Sequence, residues 1–322
     1  MRAVLGTGYG GPEVLTVAER EVPELPPGHI LVRLAAAGVN YMDIYQREGR
    51  PPYRAALPYV PGGEGAGTVT AVAGDVTLFA AGDVVAWAGV GSSYAEQVVV
   101  PADRAVPVPP GMEAETAAAV MLQGMTAHYL ASSTYPVQPG DIAVVHAAAG
   151  GVGLLLTRLI ARRGGVVVAT TSTPEKAELA RRAGAHRTAR YEELGTAVAE
   201  LTGGAGAHVV YDSVGQATFD ASLAALRPRG TMVLYGAASG PVPPFDPQRL
   251  NTGGSLYLTR PTLGHYIASR DELLWRSGEI FELVASGELE VHIGGRYPLA
   301  DAARAQADLA SRRVTGKLLL VP

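Results

Sequence analysis

Hydrophobic and polar positions follow two different patterns along the chain. Up to about Gln123, short apolar runs rich in β-branched residues are separated by closely spaced glycines and prolines, as in HILVRLAAAGV, GAGTVTAVAG, GDVVAWAG and YAEQVVVP. This spacing predicts a compact, mostly antiparallel β domain or partial barrel. From about Gly124, short continuous apolar runs alternate with segments of helical periodicity. Strands that are buried on both faces and alternate with helices predict a parallel, doubly wound sheet.

The order of these segments predicts how the domains are arranged. The second region contains the runs DIAVVHA, GVVVAT, HVVYDSVG and TMVLYGA, and it closes with GSLYLTRP. Two helical segments follow, RDELLWRSGEIFELVASGEL and LADAARAQADLASR, and the strand TGKLLLVP is expected to return to the first domain. The fold class is therefore α/β. A Rossmann domain over residues 124–265 is inserted into a β-rich domain made of residues 1–123 and 266–322.

The stretch VVHAAAGGVGLLL places three glycines between a strand and a helix. We expect a strand over 142–145, a tight turn, and a helix to about Arg163. The dinucleotide fingerprint GxGxxG is met by Gly150, Gly151, Val152 and Gly153, with alanine at the first glycine position. A turn without a ligand would also explain the glycines. The strand before them and the helix behind them favour a diphosphate bound at the positive end of the helix.

The end of the next strand predicts which dinucleotide is bound. NAD-binding proteins place an acid about twenty residues beyond the glycines, to bind the ribose hydroxyls. Here the strand ends in Thr170, Thr171 and Ser172. Helix initiation explains Thr173 and Pro174, but a cation at Lys176 opposes the helix dipole unless an anion is near. The missing acid and this lysine predict a 2′-phosphate, and therefore NADPH.

Composition and charge exclude several classes of function. The 322 residues carry 26 Lys and Arg against 30 Asp and Glu without long blocks of like charge, so nucleic acid is not an expected partner. There is no cysteine, which excludes disulfides, a thiol nucleophile and thiolate zinc sites. The N-terminus lacks an export signal, and we expect a cytoplasmic protein. Residues 142–161 approach membrane-spanning length, but their glycines, His146 and Arg158 predict a soluble core segment and no membrane partner.

Motifs along the whole chain resemble the medium-chain dehydrogenase/reductase superfamily. They include AAGVNYMDIYQREG, PYVPGGEGAGTVTAVAGDV, GDVVAW and the Rossmann unit. In zinc alcohol dehydrogenases of this superfamily, a cysteine lies where this chain has Asn40 and a histidine where it has Gly63. The seven histidines show no metal-ligand spacing. The resemblance implies a GroES-like partial barrel for the β-rich domain, no metal, and a reaction without Lewis-acid assistance.

Within this superfamily, the chain most resembles the zinc-free quinone oxidoreductases, which include zeta-crystallin. GVNYMDIY, GMTAHYL, HAAAGGVG, PEKAELARRAGA, VVYDSVG and GSLYLTRPTLGHYI carry the resemblance. It implies that Ser172, Lys176 and Tyr191 hold the 2′-phosphate. The other implied cofactor residues are Thr126, Tyr129, Gly151, Val152, Ser213, Tyr235, Gly236, Ser239, Leu258, Thr259, Arg260 and Lys317. The alternatives are that Ser213 only closes its strand, that Tyr191 is a packed aromatic, and that Arg260 and Lys317 are ordinary surface cations. Asn40 and Asp43 are further candidates on the cofactor side, from the chemistry of their side chains.

Hydride transfer from a nicotinamide needs few protein side chains, because the cofactor carries the reactive hydride. Reduction of a quinone or an enone develops negative charge on oxygen, which neutral donors stabilise. Asn40 offers an amide N–H, and Tyr45 and Tyr53 offer phenol O–H groups that can also deliver a proton. Asn40 is alternatively a purely orienting residue and Tyr45 a packing residue. Asp43 is expected to be a hydrogen-bond acceptor, either structural or on the cofactor side, rather than a general base.

Three functions remain open at this point. The first is an NADPH:quinone oxidoreductase acting on soluble quinones. The second, within the same fold, is an NADPH-dependent reductase of enone or alkenal double bonds. The third is a crystallin-like NADPH-binding protein with little turnover. The apolar strand in GSLYLTRP would leave an open sheet edge, and in this family two such edges pair, so a homodimer is expected.

Overall fold

The chain forms two units in the computed structural model, which describes every residue from Met1 to Pro322. Unit 1 comprises Met1–Met125 and Ile267–Pro322, and unit 2 comprises Thr126–Tyr266. The boundaries expected from the sequence, after residue 123 and before residue 266, differ from these by two residues and one residue. Unit 2 is thus one continuous segment between the two segments of unit 1.

The first segment of unit 1 is mostly strand. An extended Asn40 follows the longest strand and is the N-cap of a short helix. In chain order the elements are β1 (Arg2–Gly6), β2 (Leu15–Glu19), β3 (His29–Val39), α1 (Tyr41–Arg47), β4 (Glu64–Val72), β5 (Val84–Ala88), β6 (Gln97–Pro101), β7 (Ala105–Pro107) and α2 (Ala114–Tyr129). The passage to unit 2 falls within α2.

Unit 2 alternates strands and helices, and each early strand is a short, almost fully buried apolar run. Its elements are β8 (Ile142–Val145), α3 (Gly151–Arg162), β9 (Val166–Thr170), α4 (Pro174–Arg182), β10 (Arg187–Ala189), α5 (Leu194–Thr202), β11 (Ala207–Asp212), α6 (Phe219–Ala224), β12 (Leu226–Leu234), α7 (Gln248–Thr252), β13 (Tyr257–Thr259) and α8 (Leu263–Tyr266).

The second segment of unit 1 supplies two helices and two strands. They are α9 (Arg270–Ala285), β14 (Ile293–Pro298), α10 (Ala302–Ala310) and β15 (Lys317–Val321). β15 pairs antiparallel with β3, so the C-terminal strand does return to the first domain, as the sequence predicts.

The main sheet of unit 1 has the order β14-β15-β3-β4-β5-β7, and β6 also pairs with β3. All these pairs are antiparallel except β14 with β15. Inward-facing side chains such as Ile30, Val32, Trp87 and Leu318 form one buried core, and Trp87 satisfies its indole N–H on Ser93 Oγ at 2.9 Å. The expected antiparallel β domain is confirmed.

The sheet of unit 2 is parallel throughout and has the order β10-β9-β8-β11-β12-β13. Counted from β8, this is the 3-2-1-4-5-6 order of a Rossmann fold. Strand order reverses between β8 and β11, and ligands of such sheets bind outside the carboxyl ends of the strands at this point. The expected doubly wound sheet is confirmed.

The sequence interpretation missed several elements. Alanine and other apolar residues make up most of α2, so only a weak amphipathic period marks this helix. β10 has only three residues, too few for a periodic pattern.

The apolar window 142–161 contains β8, the turn and most of α3. No helix of the structure is both long enough and apolar enough to cross a bilayer.

Candidate functional site

The turn between β8 and α3 brings backbone very close to backbone. Ala147 has a positive φ of 49°, and Gly150 is the N-cap of α3. A Cβ added to Gly153 would lie 2.5 Å from Ala147 O and 2.7 Å from Ala148 Cα, distances that real Cβ atoms do not adopt. Only glycine at this position lets the helix begin so near the strand.

The start of α3 is suited to an anion. The first backbone N–H groups of a helix have no acceptor within it, and the aligned peptide dipoles make this end positive. In α3 the first intrahelical bond runs from Leu154 N to Gly150 O at 2.9 Å, so the N–H groups of Gly151, Val152 and Gly153 precede it. The cradle and the N–H groups together fit a diphosphate, and thus a dinucleotide.

A second polar group lies where β9 passes into α4. Thr173 caps the helix by accepting a hydrogen bond from Lys176 N at 3.3 Å. The Lys176 side chain turns back towards the strand end, and its Nζ lies 3.3 Å from Ser172 Oγ. Burial lowers the pKa of Lys176 from its ordinary value. Hydroxyl and ammonium groups, without an acid, fit a phosphate better than a ribose diol.

Tyr191 follows β10, the strand that pairs with β9. Its ring is 37% exposed and meets the ring of His146 edge-on, with centroids 5.6 Å apart. His146 directly follows β8, so this contact places Tyr191 at the carboxyl edge of the sheet.

The remaining predicted residues of unit 2 also lie at or near strand ends. Ser213, Tyr235 and Gly236 follow β11 and β12, and Tyr235 N and Gly236 N both donate to Asp212 O, at 2.8 and 3.3 Å. Burial raises the pKa of Tyr235. The Ser239 hydroxyl is engaged within the loop, donating to Val214 O at 2.8 Å.

The other predicted cofactor residues lie in two elements, the edge strand β13 and the helix α2. Leu258, Thr259 and Arg260 belong to or follow the edge strand β13, and Arg260 donates to Pro261 O at 3.3 Å. Thr126 and Tyr129 lie in α2, both buried. The Tyr129 ring stacks on that of Tyr266, with centroids 4.1 Å apart and planes 8° apart.

In unit 1, Asn40 and Asp43 form the start of α1. Asn40 N donates to Asp43 Oδ2 at 2.8 Å, and the Tyr94 hydroxyl donates to the same oxygen at 2.8 Å. Asp43 is only 2% exposed. Burial raises the pKa of Asp43 to about 6, although both hydrogen bonds oppose this shift. Asp43 thus accepts hydrogen bonds from two partners within the protein.

The Asn40 side chain lies in a buried ionic network. Lys317 Nζ forms an ion pair with Glu64 Oε2 and donates to Asn40 Oδ1 at 3.0 Å. Asn40 Nδ2 donates to the same Glu64 oxygen at 2.8 Å, and more weakly to Gly38 O at 3.4 Å. Glu64 and Lys317 are 0% and 1% exposed. The three side chains are mutually bonded, and each restricts the orientation of the others.

Sequence reasoning missed Glu64, which is the centre of this network. Its second oxygen accepts from Leu122 N at 2.6 Å, and Gln123 Nε2 approaches Asn40 Oδ1 at 3.4 Å. One signal was available, because a single acid in the apolar run GGEGAGTVTAV requires a buried partner. The same holds for the lysine that opens KLLLV.

Tyr45 and Tyr53 are brought together in unit 1. Their ring centroids are 5.5 Å apart, and the Arg50 guanidinium lies 5.2 Å from the Tyr45 centroid. Tyr45 is 8% exposed, whereas Tyr53 is half-buried. No group of three or more His, Cys, Asp or Glu side chains is arranged to hold a metal ion.

Comparisons with known proteins agree with this architecture. Residues 26–110 match the family described as the alcohol dehydrogenase GroES-like domain, and residues 151–272 match the family described as zinc-binding dehydrogenase. A quinone oxidoreductase of Pseudomonas aeruginosa is 44% identical over 98% of this chain and 97% of its own. A 2-haloacrylate reductase of a Burkholderia species is 38% identical over 97% and 96%.

The fold agrees equally well with a solved structure. The Escherichia coli quinone oxidoreductase in complex with NADPH superposes with a TM-score of 0.96, at 40% identity and with all of both chains covered. The expected GroES-like and Rossmann-like folds are therefore both confirmed. By these matches, the chain belongs to the zeta-crystallin-like quinone oxidoreductase family of the medium-chain dehydrogenases/reductases.

Proposed function

We propose that this protein is an NADPH:quinone oxidoreductase, which reduces a small quinone by hydride transfer without a metal. The observation that carries the proposal is the combination of two groups at one sheet edge: the close glycine turn of α3, and Lys176 with Ser172 at the end of β9. The full-length similarity to a quinone oxidoreductase supports the choice of acceptor.

The residues of unit 2 would hold the cofactor by charge and by backbone donors. The N–H groups at the start of α3 bind the diphosphate, since the turn at Gly153 leaves no side chain in the way. Lys176 and Ser172 would bind the 2′-phosphate, and Tyr191, which is 37% exposed, would add a phenol donor. NADH offers a ribose diol and no phosphate to the Lys176 ammonium, so NADH should bind less tightly than NADPH.

When bound, the reduced nicotinamide supplies the hydride. One hydride and one proton convert a quinone to a quinol, so the protein must stabilise the oxyanion and deliver one proton. Asn40 is the proposed oxyanion donor. Its strong bond to Glu64 at 2.8 Å fixes the amide plane, and its weak bond to Gly38 O at 3.4 Å is the one that exchanges for the substrate oxygen.

Lys317 and Glu64 act through Asn40 in this account. Lys317 Nζ holds Asn40 Oδ1, which prevents the amide from turning over and presenting its oxygen to the oxyanion. Lys317 is expected on the cofactor side, but it is only 1% exposed. It would therefore contribute there through its charge and by orienting Asn40. Gln123 gives Asn40 Oδ1 a second, weaker donor.

Tyr45 and Tyr53 are the proposed proton donors. Both are phenols in the same cluster, and the Arg50 guanidinium lies over the Tyr45 ring, 5.2 Å from its centroid. The half-buried Tyr53 can be reprotonated from solvent, and it is the better candidate for repeated turnover. Asp43, which is engaged by Asn40 and Tyr94, holds the start of α1.

A second function is favoured by one specific observation. The relative that is 38% identical over nearly the whole chain is named a 2-haloacrylate reductase, and a haloacrylate carries an activated carbon–carbon double bond. Hydride addition to an enone also develops negative charge on oxygen, so the same Asn40 amide would serve. This function is an NADPH-dependent enone or alkenal reductase.

A panel of acceptors separates these functions. Purified protein with NADPH is offered a benzoquinone, a naphthoquinone, an unsaturated ketone and 2-chloroacrylate, and kcat/KM is measured for each. We expect the quinones to exceed the other acceptors by at least tenfold. A preference for the ketone or the acrylate would replace the first function with the second.

The proposal includes a homodimer and a cytoplasmic location. β13 pairs only with β12, and its Tyr257 is 63% exposed, so an apolar sheet edge is open to a second copy. Light scattering at micromolar concentration should give twice the mass of the 33.3 kDa chain.

A chain without cysteine needs no oxidising compartment, which favours the cytoplasm, and cell fractionation tests this location.

A further inference from the structure

A buried chain of polar side chains lies beneath the carboxyl edge of the sheet in unit 2. The His146 ring is 2.9 Å from Thr170 Oγ1 through Nδ1 and 2.9 Å from Ser222 Oγ through Nε2. Ser222 Oγ donates in turn to Asp212 Oδ2 at 2.8 Å. All four residues are 0% exposed. They form an internal polar chain that the proposed chemistry does not use.

The hydrogen bonds of this chain run in one direction. Asp212 accepts from Val214 N, Gly215 N and the Thr218 hydroxyl at 2.7 to 2.9 Å, besides Ser222. Because Ser222 gives its only proton to Asp212, it can only accept from the imidazole. Nε2 therefore carries the ring proton.

The other ring nitrogen then has its role assigned. In a neutral imidazole whose Nε2 is protonated, Nδ1 is an acceptor, so the Thr170 hydroxyl donates to it. Burial lowers the pKa of His146, which keeps the ring neutral. Thr170, His146, Ser222 and Asp212 are thus linked donor to acceptor in a single sense, and no member is left without a partner.

This chain joins the three strand ends that carry the proposed cofactor residues. Thr170 is the last residue of β9 and is two residues before Ser172. His146 follows β8, and its ring contacts Tyr191 edge-on. Asp212 ends β11, directly before Ser213, and holds the turn behind it through two backbone N–H groups.

We propose that His146 is a positioning residue for the cofactor: as a neutral Nε2–H imidazole it fixes the ends of β8, β9 and β11, so that Ser172, Tyr191 and Ser213 are preorganised for the 2′-phosphate and the ribose. This inference rests on the proposed function and deepens it. Buried polar chains are costly unless fully satisfied, and a satisfied one holds a single arrangement. His146 thus contributes to the preference for NADPH without touching it.

The test compares four variants. His146→Leu removes both hydrogen bonds of the ring, and His146→Gln restores one donor and one acceptor. Thr170→Val cuts the chain at one end with little change in volume. His208→Leu is the matched control. His208 lies near the amino end of β11, away from the carboxyl ends of the strands, and its ring accepts a hydrogen bond from Ile142 N at 2.9 Å.

Dissociation constants are measured by calorimetry for NADPH, NADH and adenosine 2′,5′-bisphosphate, together with Tm of each free variant. For H146L and T170V, we expect NADPH and the bisphosphate to bind about tenfold more weakly, with NADH affected about threefold or less. H146Q should recover most of this loss. Steady-state kinetics should show the change in KM for NADPH rather than in kcat.

Other outcomes overturn the inference. H208L should lower Tm without changing the ratio of the NADPH and NADH dissociation constants, and an equal change of ratio in H208L would show a general effect of destabilisation. An unchanged ratio in T170V, or no recovery in H146Q, would also refute the role of His146. If H146L does not fold, T170V and H146Q decide the question. A wild-type protein that binds no NADPH would instead refute the proposed function itself.

Discussion

Replacing Lys176 by alanine should weaken NADPH binding selectively. The ammonium lies 3.3 Å from Ser172 Oγ at the carboxyl end of β9, with no acid among Thr170, Thr171 and Ser172. Without Lys176, a bound 2′-phosphate would lose its main cationic partner. NADH has no phosphate there, so its binding should change little.

The structure sets the size of the effect. A hydrogen bond to a charged group contributes about 1.5–3 kcal/mol. Lys176 is half-buried, so solvent screens part of its charge, and the lower part of the range applies. A loss of about 1.5–2 kcal/mol corresponds to about a 12- to 30-fold increase in the dissociation constant for NADPH. The effect should shrink as ionic strength rises.

The assay is calorimetric titration of NADPH and NADH into the wild type, K176A and a control variant. R182A is the matched control, since Arg182 is a cation of the same helix that pairs with Glu178 at 3.2 Å and is 73% exposed. R182A should bind both cofactors as the wild type does. An equal loss of NADPH and NADH affinity in K176A would refute the assignment of the 2′-phosphate to Lys176.

Three more predictions concern stability and cofactor binding. Lys317→Met should lower the free energy of unfolding by about 3–5 kcal/mol in urea titrations, because it leaves the buried Glu64 charge unpaired. Adding Glu64→Gln should recover part of this loss. An unchanged free energy of unfolding in K317M would contradict the ion pair. Gly153→Ala should impair cofactor binding measured by calorimetry, since its Cβ would collide with backbone at 2.5 Å, and wild-type affinity would show that the turn is not the diphosphate site. The pKa of Asp43 is raised from 3.8 to about 6, so its contribution to stability is full below about pH 4 and is lost as the pH rises through about 6. In urea unfolding, Asp43→Asn should therefore flatten the dependence of stability on pH between about pH 4 and 6. An unchanged pH dependence in this variant would refute the raised pKa.

The fold could be predicted because its signals are local. The buried runs that became β8, β9 and β11 are continuous and apolar, and the glycines between β8 and α3 mark the only backbone that fits so close a turn. By contrast, α2 is largely apolar and β10 has only three residues, so neither leaves a clear periodic pattern.

The candidate site was predictable only in part, for a different reason. The Ser172 and Lys176 pair is local in sequence, and its chemistry follows from the spacing within one helical turn. In the network of Asn40, Glu64 and Lys317, Asn40 is 24 positions from Glu64 along the chain and Lys317 is 253 positions from it. Its members are known to be partners only once β3, β4 and β15 lie side by side.

The central claim is hydride transfer from NADPH to a quinone. The most direct measurement follows the absorbance of the reduced nicotinamide when purified protein is mixed with a naphthoquinone and either NADPH or NADH at equal concentration. The account predicts rapid oxidation of NADPH and little oxidation of NADH, both dependent on the quinone. Equal oxidation of the two cofactors would contradict the cofactor assignment. Tight binding of NADPH with no acceptor consumed would contradict the enzyme itself.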